Sequence, residues 1–136
     1  MENRTVLVIE DNALNMKLVR TLLQLGKYQV LEAIDAEIGI QMAREHQPDL
    51  ILMDIQLSGM DGLSATRIIK EDQALKDIAV VALTSYAMQG DERKAIEAGC
   101  TGYIPKPIKT RSFLESISRF LNPKGPNRCE QGEDLS

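Results

Sequence analysis

Short apolar runs alternate along the chain with longer stretches in which apolar residues recur every three or four positions. Residues 5–9, Thr-Val-Leu-Val-Ile, predict a strand apolar on both faces, as the middle of a parallel sheet requires. Leu14, Leu18, Leu22 and Leu25 then recur at helical spacing, with Val19 and Leu23 beside them, and Gly26 is a natural stop. Residues 28–33 form a weaker strand pattern, nearer an edge. A second helix is predicted over 35–46, with Asp35 as N-cap and Pro48 beyond its end. Residues 50–53, Leu-Ile-Leu-Met, predict the next buried strand. A loop over 58–62 rich in turn residues precedes a third helix over 63–71. Residues 78–83 predict a fourth strand, 89–98 a fourth helix stopped by Gly99, and 101–104 a short fifth strand. Thr110 is placed to cap a last helix with Phe113, Leu114, Ile117 and Leu121 on one face.

This strand–helix rhythm, repeated five times, predicts an α/β fold. The expected architecture is a doubly wound five-stranded parallel sheet in the order 2-1-3-4-5, with helices on both faces. Residues 1–121 are expected to form one domain. From Asn122 the apolar period stops, and 122–136 are expected to be a disordered C-terminal tail, too short for an output domain, with Cys129 as an exposed thiol.

Composition narrows the function. Sixteen Lys and Arg against twenty Asp and Glu give a net charge of −4, which argues against a nucleic-acid partner. No apolar run approaches the ~20 residues of a membrane span, and the first residues lack a signal-peptide pattern, so a cytoplasmic location without membrane insertion is expected. Two Cys and one His, widely spread, offer no zinc site and, in a reducing compartment, no disulfide. Any metal is then a hard cation held by oxygen.

In an open α/β sheet, ligands bind beyond the carboxyl ends of the strands. Glu10 and Asp11 follow the first strand, Asp54 the third, Thr84 the fourth, and Pro105 and Lys106 the fifth. The predicted topology brings three carboxylates, a hydroxyl and an ammonium to one edge. Carboxylates that close repel one another, and a divalent cation removes the conflict. Few protein ligands, all oxygen, suit Mg²⁺, which keeps some of its waters and shares its shell with a phosphate.

These residues carry a resemblance. Glu10-Asp11, Asp54 within Leu-Ile-Leu-Met-Asp-Ile, Gly59-Met-Asp-Gly62, Thr84 after Val-Val-Ala-Leu, and Lys106-Pro107 resemble a receiver domain, the phosphoacceptor module of two-component response regulators. The resemblance runs from about Thr5 to Leu121. Residues 10–18 and 44–50 further resemble stand-alone single-domain receivers of the DivK type. The resemblance implies a flavodoxin-like receiver fold and a phosphoacceptor that assists its own phosphorylation and dephosphorylation rather than an enzyme. Asp54 would take a phosphoryl group from a phosphohistidine of a histidine kinase or phosphotransfer protein. Asp11 would ligate Mg²⁺ directly and Glu10 through water, with the Asp54 carboxylate and the backbone carbonyl of Gln56 completing the set. Mg²⁺ and Lys106 would neutralise the transferring group, and Thr84 would donate its hydroxyl to it. A cis bond before Pro107 would aim Lys106. Thr84 and Tyr103 would form the switch, presenting helix 4, strand 5 and helix 5 to a downstream protein target, in a monomer or weak dimer. Helix 4 is unusually polar, with Gln89, Asp91, Glu92, Arg93, Lys94 and Glu97.

Two residues depart from the pattern: Ser58 stands where the family often has Pro, and Ser85 where it usually has Ala. A haloacid dehalogenase-type phosphatase would need a second Asp where Gln56 stands. A flavin carrier of the same fold would need a Ser/Thr/Gly-rich phosphate loop where Glu10-Asp-Asn stands. A degenerate receiver would lack Asp54, Thr84 or Lys106. Met16, Met42, Met53 and Met60 are expected to pack, Cys100 to be a small buried hydrophobe, and His46 to close helix 2 with no catalytic role.

Overall fold

The first apolar run becomes β1 (Thr5–Ile9), and its neighbours on both sides are parallel strands. In the computed structural model, residues 4–55, 57, 60–84, 89–105 and 108–121 are described, with the backbone alone for 89–92. The chain continues through α1 (Ala13–Leu25), β2 (Gln29–Ala33), α2 (Ala36–His46), β3 (Leu50–Asp54), α3 (Gly62–Glu71), β4 (Ala79–Thr84), α4 (Gln89–Ala98), β5 (Gly102–Pro105) and α5 (Thr110–Leu121). The sheet order is β2-β1-β3-β4-β5 and every pairing is parallel, as the alternation predicts.

Side chains alternate across each strand, so one sheet carries two cores. Leu7, Ile9, Ile51, Met53, Val80 and Ala82 pack against Ala36 and Ile40 of α2, Ala65 and Ile69 of α3 and Ala95 of α4. Val6, Val8, Leu50, Leu52, Val81 and Leu83 pack against Met16, Val19, Leu22 and Leu23 of α1 and Phe113 and Ile117 of α5. Burial of each such Leu, Ile or Val is worth roughly 1.5–3 kcal/mol. Interior strands buried on both faces explain why their sequences are continuously apolar. At the edge, β2 leaves Gln29 and Glu32 exposed.

Helical spacing in α1 fixed the element but not the buried face. Leu14, Leu18 and Leu25 are 79%, 39% and 68% exposed, while Met16, Val19, Leu22 and Leu23 face the sheet. Both sets recur at helical period, so spacing cannot rank them. Asn12 caps α1, accepting from the Asn15 amide, and Asp35 caps α2, accepting from the Ile38 amide. Thr110 is the first residue of α5 rather than its cap; the Phe113 amide already bonds to the Lys109 carbonyl. Met16 and Met53 are buried, Met42 and Met60 partly so, and Cys100 is buried, all as packing residues. His46 lies exposed in the last turn of α2. Among the described residues no helix is long and apolar enough to cross a membrane. Residues 122–136, with Cys129, lie outside the described residues.

Candidate metal and phosphoryl site

Strand register assembles the site. Ile9 pairs with Met53, so the next residues, Glu10 and Asp54, emerge level with each other at the carboxyl edge. The β1–β2 ladder runs one bond further, from the Glu10 amide to the Ala33 carbonyl at 3.0 Å. The Glu10 carboxylate accepts from the Asn12 amide at 3.1 Å, while the Asn12 side chain caps α1 through the Asn15 amide at 3.0 Å. Asn12 therefore joins the acid to the helix start.

Oxygens from Glu10, Asp11 and Asp54 all lie within 4.8 Å of one another. Glu10 and Asp54 are buried, at 1% and 3% exposure, and Asp11 is exposed. At that separation each pair of ionised carboxylates repels by roughly 1–3 kcal/mol, depending on how much water shares the space. Buried hard oxygens beside one open to solvent fit a divalent cation that keeps part of its water shell.

The other side of the edge holds Thr84, the last residue of β4, buried and paired with Pro105 of β5. The Ile55 amide donates to the Leu83 carbonyl at 3.1 Å, extending the β3–β4 ladder just past Asp54. Tyr103 pairs with Ala82, two residues before Thr84, so Tyr103 and Thr84 share a sheet face. Tyr103 is half-buried and packs on the core beneath α2, α3 and α4. A shallow cleft of about 210 Å³ opens between β5 and α5, lined by Tyr103, Pro105, Lys109, Ser112 and Ser116 among others. Gln56, Lys106 and Pro107, with Ser58, Ser85 and Tyr86, lie outside the described residues.

Gly62 was legible only as a turn residue, and the structure gives it a sharper role. A Cβ there would sit 2.2 Å from the Asp54 carbonyl oxygen and 2.8 Å from the Ile55 Cα. Only glycine lets α3 start against the backbone of β3. Asp61 caps that helix, accepting from the Ser64 amide at 2.7 Å.

A doubly wound sheet with an acidic cluster at its carboxyl edge defines a receiver domain, and the chain belongs to the response regulator receiver domain family, whose sequence profile matches residues 6–118. It is 44% identical over 118 residues to the polar-differentiation response regulator DivK of Brucella ovis, spanning 87% of this chain and 96% of that one. The receiver domain of the sensor histidine kinase PA1611 from Pseudomonas aeruginosa, solved with a magnesium ion coordinated in its active-site cleft, is 30% identical, with a TM-score of 0.83 over 89% of this chain and 99% of that one. The chemotaxis protein CheY4 of Vibrio cholerae shares the fold, with a TM-score of 0.83 at 22% identity over 88% of this chain and 99% of that one.

Proposed function

We propose that the chain is a single-domain response regulator that accepts a phosphoryl group on Asp54 and signals by protein contact. The observation that carries this reading is the approach of the Glu10, Asp11 and Asp54 oxygens to within 4.8 Å at the carboxyl edge of the sheet. A carboxylate oxygen of Asp54 attacks phosphorus, the P–N bond to a histidine of the donor breaks, and the imidazole nitrogen keeps the electron pair. The donor is a histidine kinase or a histidine phosphotransfer protein. Asp11, Asp54 and the Gln56 carbonyl would hold Mg²⁺, and Glu10 would act on it through water. The magnesium-bearing cleft of the 30% identical receiver supports a metal at this edge. When bound, the ion supplies positive charge for the equatorial oxygens of the transferring group.

The chain's own residues then register the product. The Thr84 hydroxyl and the Lys106 ammonium donate to the phosphoryl oxygens. Charge-assisted hydrogen bonds are worth about 1.5–3 kcal/mol each. Reversing a two-state equilibrium from 1:99 to 99:1 takes about 5.5 kcal/mol, so two such bonds nearly suffice. Tyr103, on the same face as Thr84, carries the change to the surface of α4, β5 and α5, where a separate protein reads it.

Intact mass after exposure to acetyl phosphate tests the assignment. The expected gain is one phosphoryl unit, dependent on Mg²⁺ and absent in Asp54→Asn. Full labelling of the Asn variant overturns it.

A further inference from the structure

Two buried side chains that the proposed chemistry does not use, Thr66 and Cys100, connect the end of α4 to the backbone that carries Asp54. The Thr66 hydroxyl donates to the Gly62 carbonyl at 2.8 Å. The Cys100 thiol donates to the Thr66 hydroxyl at 3.8 Å. A Cβ on Gly62 would meet the Asp54 carbonyl oxygen, and the Gly62 amide donates to the Ile55 carbonyl at 3.1 Å. Cys100 closes α4, its amide bonded to the Ala95 carbonyl at 3.0 Å, just after Gly99 at a φ of +112°. A Thr that bonds back one helical turn is ordinary. Here the same hydroxyl also accepts from a different element, is fully buried, and bonds to Gly62, where a Cβ would sit 2.2 Å from the Asp54 carbonyl oxygen. Burial raises the Cys100 pKa, so the thiol keeps the proton that this bond needs.

We propose that Thr66 is a positioning residue for Asp54, and that the chain Cys100–Thr66–Gly62 couples the end of α4 to the phosphoacceptor. The proposal rests on the reading of Asp54 given above. Loosening the chain frees Gly62 to shift, and with it the end of β3. Groups that orient a reacting residue from behind typically change rate or metal affinity by 10- to 100-fold.

The test is the rate of acetyl phosphate labelling of the full chain, followed by intact mass across an Mg²⁺ titration well below the thermal midpoint. Thr66→Val is expected to slow labelling about tenfold, with Thr66→Ser restoring it to within about twofold. Cys100→Ala, which cuts only the far end, is expected to slow it about threefold. A packing role would lower the midpoint of Thr66→Val without slowing the folded protein, and Ser, which lacks the methyl group, would not rescue. If Thr66→Val does not fold, Cys100→Ala decides. Labelling of the wild type with unchanged rates in the variants overturns this inference alone; absence of metal-dependent labelling in the wild type overturns the reading of Asp54 instead.

Discussion

The two ends of the sheet are built to opposite rules. At the carboxyl edge, three acids crowd within 4.8 Å, two of them buried. At the amino edge, polar groups meet complementary partners. The Asp49 carboxylate accepts from the Thr5 amide at 2.8 Å where β1 begins. Arg4 donates to the Leu121 carbonyl at the end of α5, and Lys70 to the Lys76 and Ile78 carbonyls before β4. Arg44 meets Asp72 at 2.9 Å. One edge gathers acids where a cation is proposed to bind, and the other is tied by dispersed polar contacts. The chemistry is thus confined to one edge, and substitutions at the amino edge should change stability without changing it.

The largest effect is expected from Glu10→Gln. The amide oxygen can still accept from Asn12, but one charge leaves the cluster. Metal-dependent labelling is expected to fall on the order of 100-fold, while metal-free stability rises by about 1 kcal/mol. Urea unfolding without Mg²⁺ checks the second part, and a lowered midpoint breaks the comparison. In the wild type, Mg²⁺ at ten times its Kd should add about 1.4 kcal/mol. At the opposite edge the signs reverse. Asp49→Ala removes the acceptor of the first β1 amide and is expected to cost about 1 kcal/mol with labelling unchanged. Slower labelling in the folded Asp49 variant would show that the ends are not separate.

This division explains what the sequence could disclose. β1, β3 and β4 were legible because burial on both faces leaves only apolar residues, and Asp54 and Thr84 because they interrupt those runs at their last positions. The face of α1 was not legible, because Leu14, Leu18 and Leu25 keep the same period as the residues that pack. Nor were Thr66 and Cys100 legible as a pair. Their contact joins segments 34 positions apart through the packing of α3 on the end of α4. The Lys70 stem lies under Gly99 and its ammonium on the Lys76 and Ile78 carbonyls, contacts that no local pattern marks. Local pattern reveals which residues are apolar and where runs end, but not which polar residue reaches across to another element.

The smallest effect belongs to the amino edge and to acid. A hydrogen bond from Arg44 holds the Asp72 carboxyl below its ordinary value, with the Ala74 amide helping. A carboxyl depressed in the folded state contributes stability that is complete above its unfolded pKa of about 4 and is lost as pH falls through the lower folded value. Arg44→Gln removes the main cause. Wild type should therefore melt slightly above the variant between pH 5 and 8, with a gap that is constant there, closes below about pH 4, and narrows in high salt because the pair is exposed. Thermal midpoints of both proteins from neutral pH into acid measure it directly. A gap that widens in acid would mean that Arg44 acts through something other than the ionised Asp72, and the picture of an amino edge held by complementary charge would lose one of its supports.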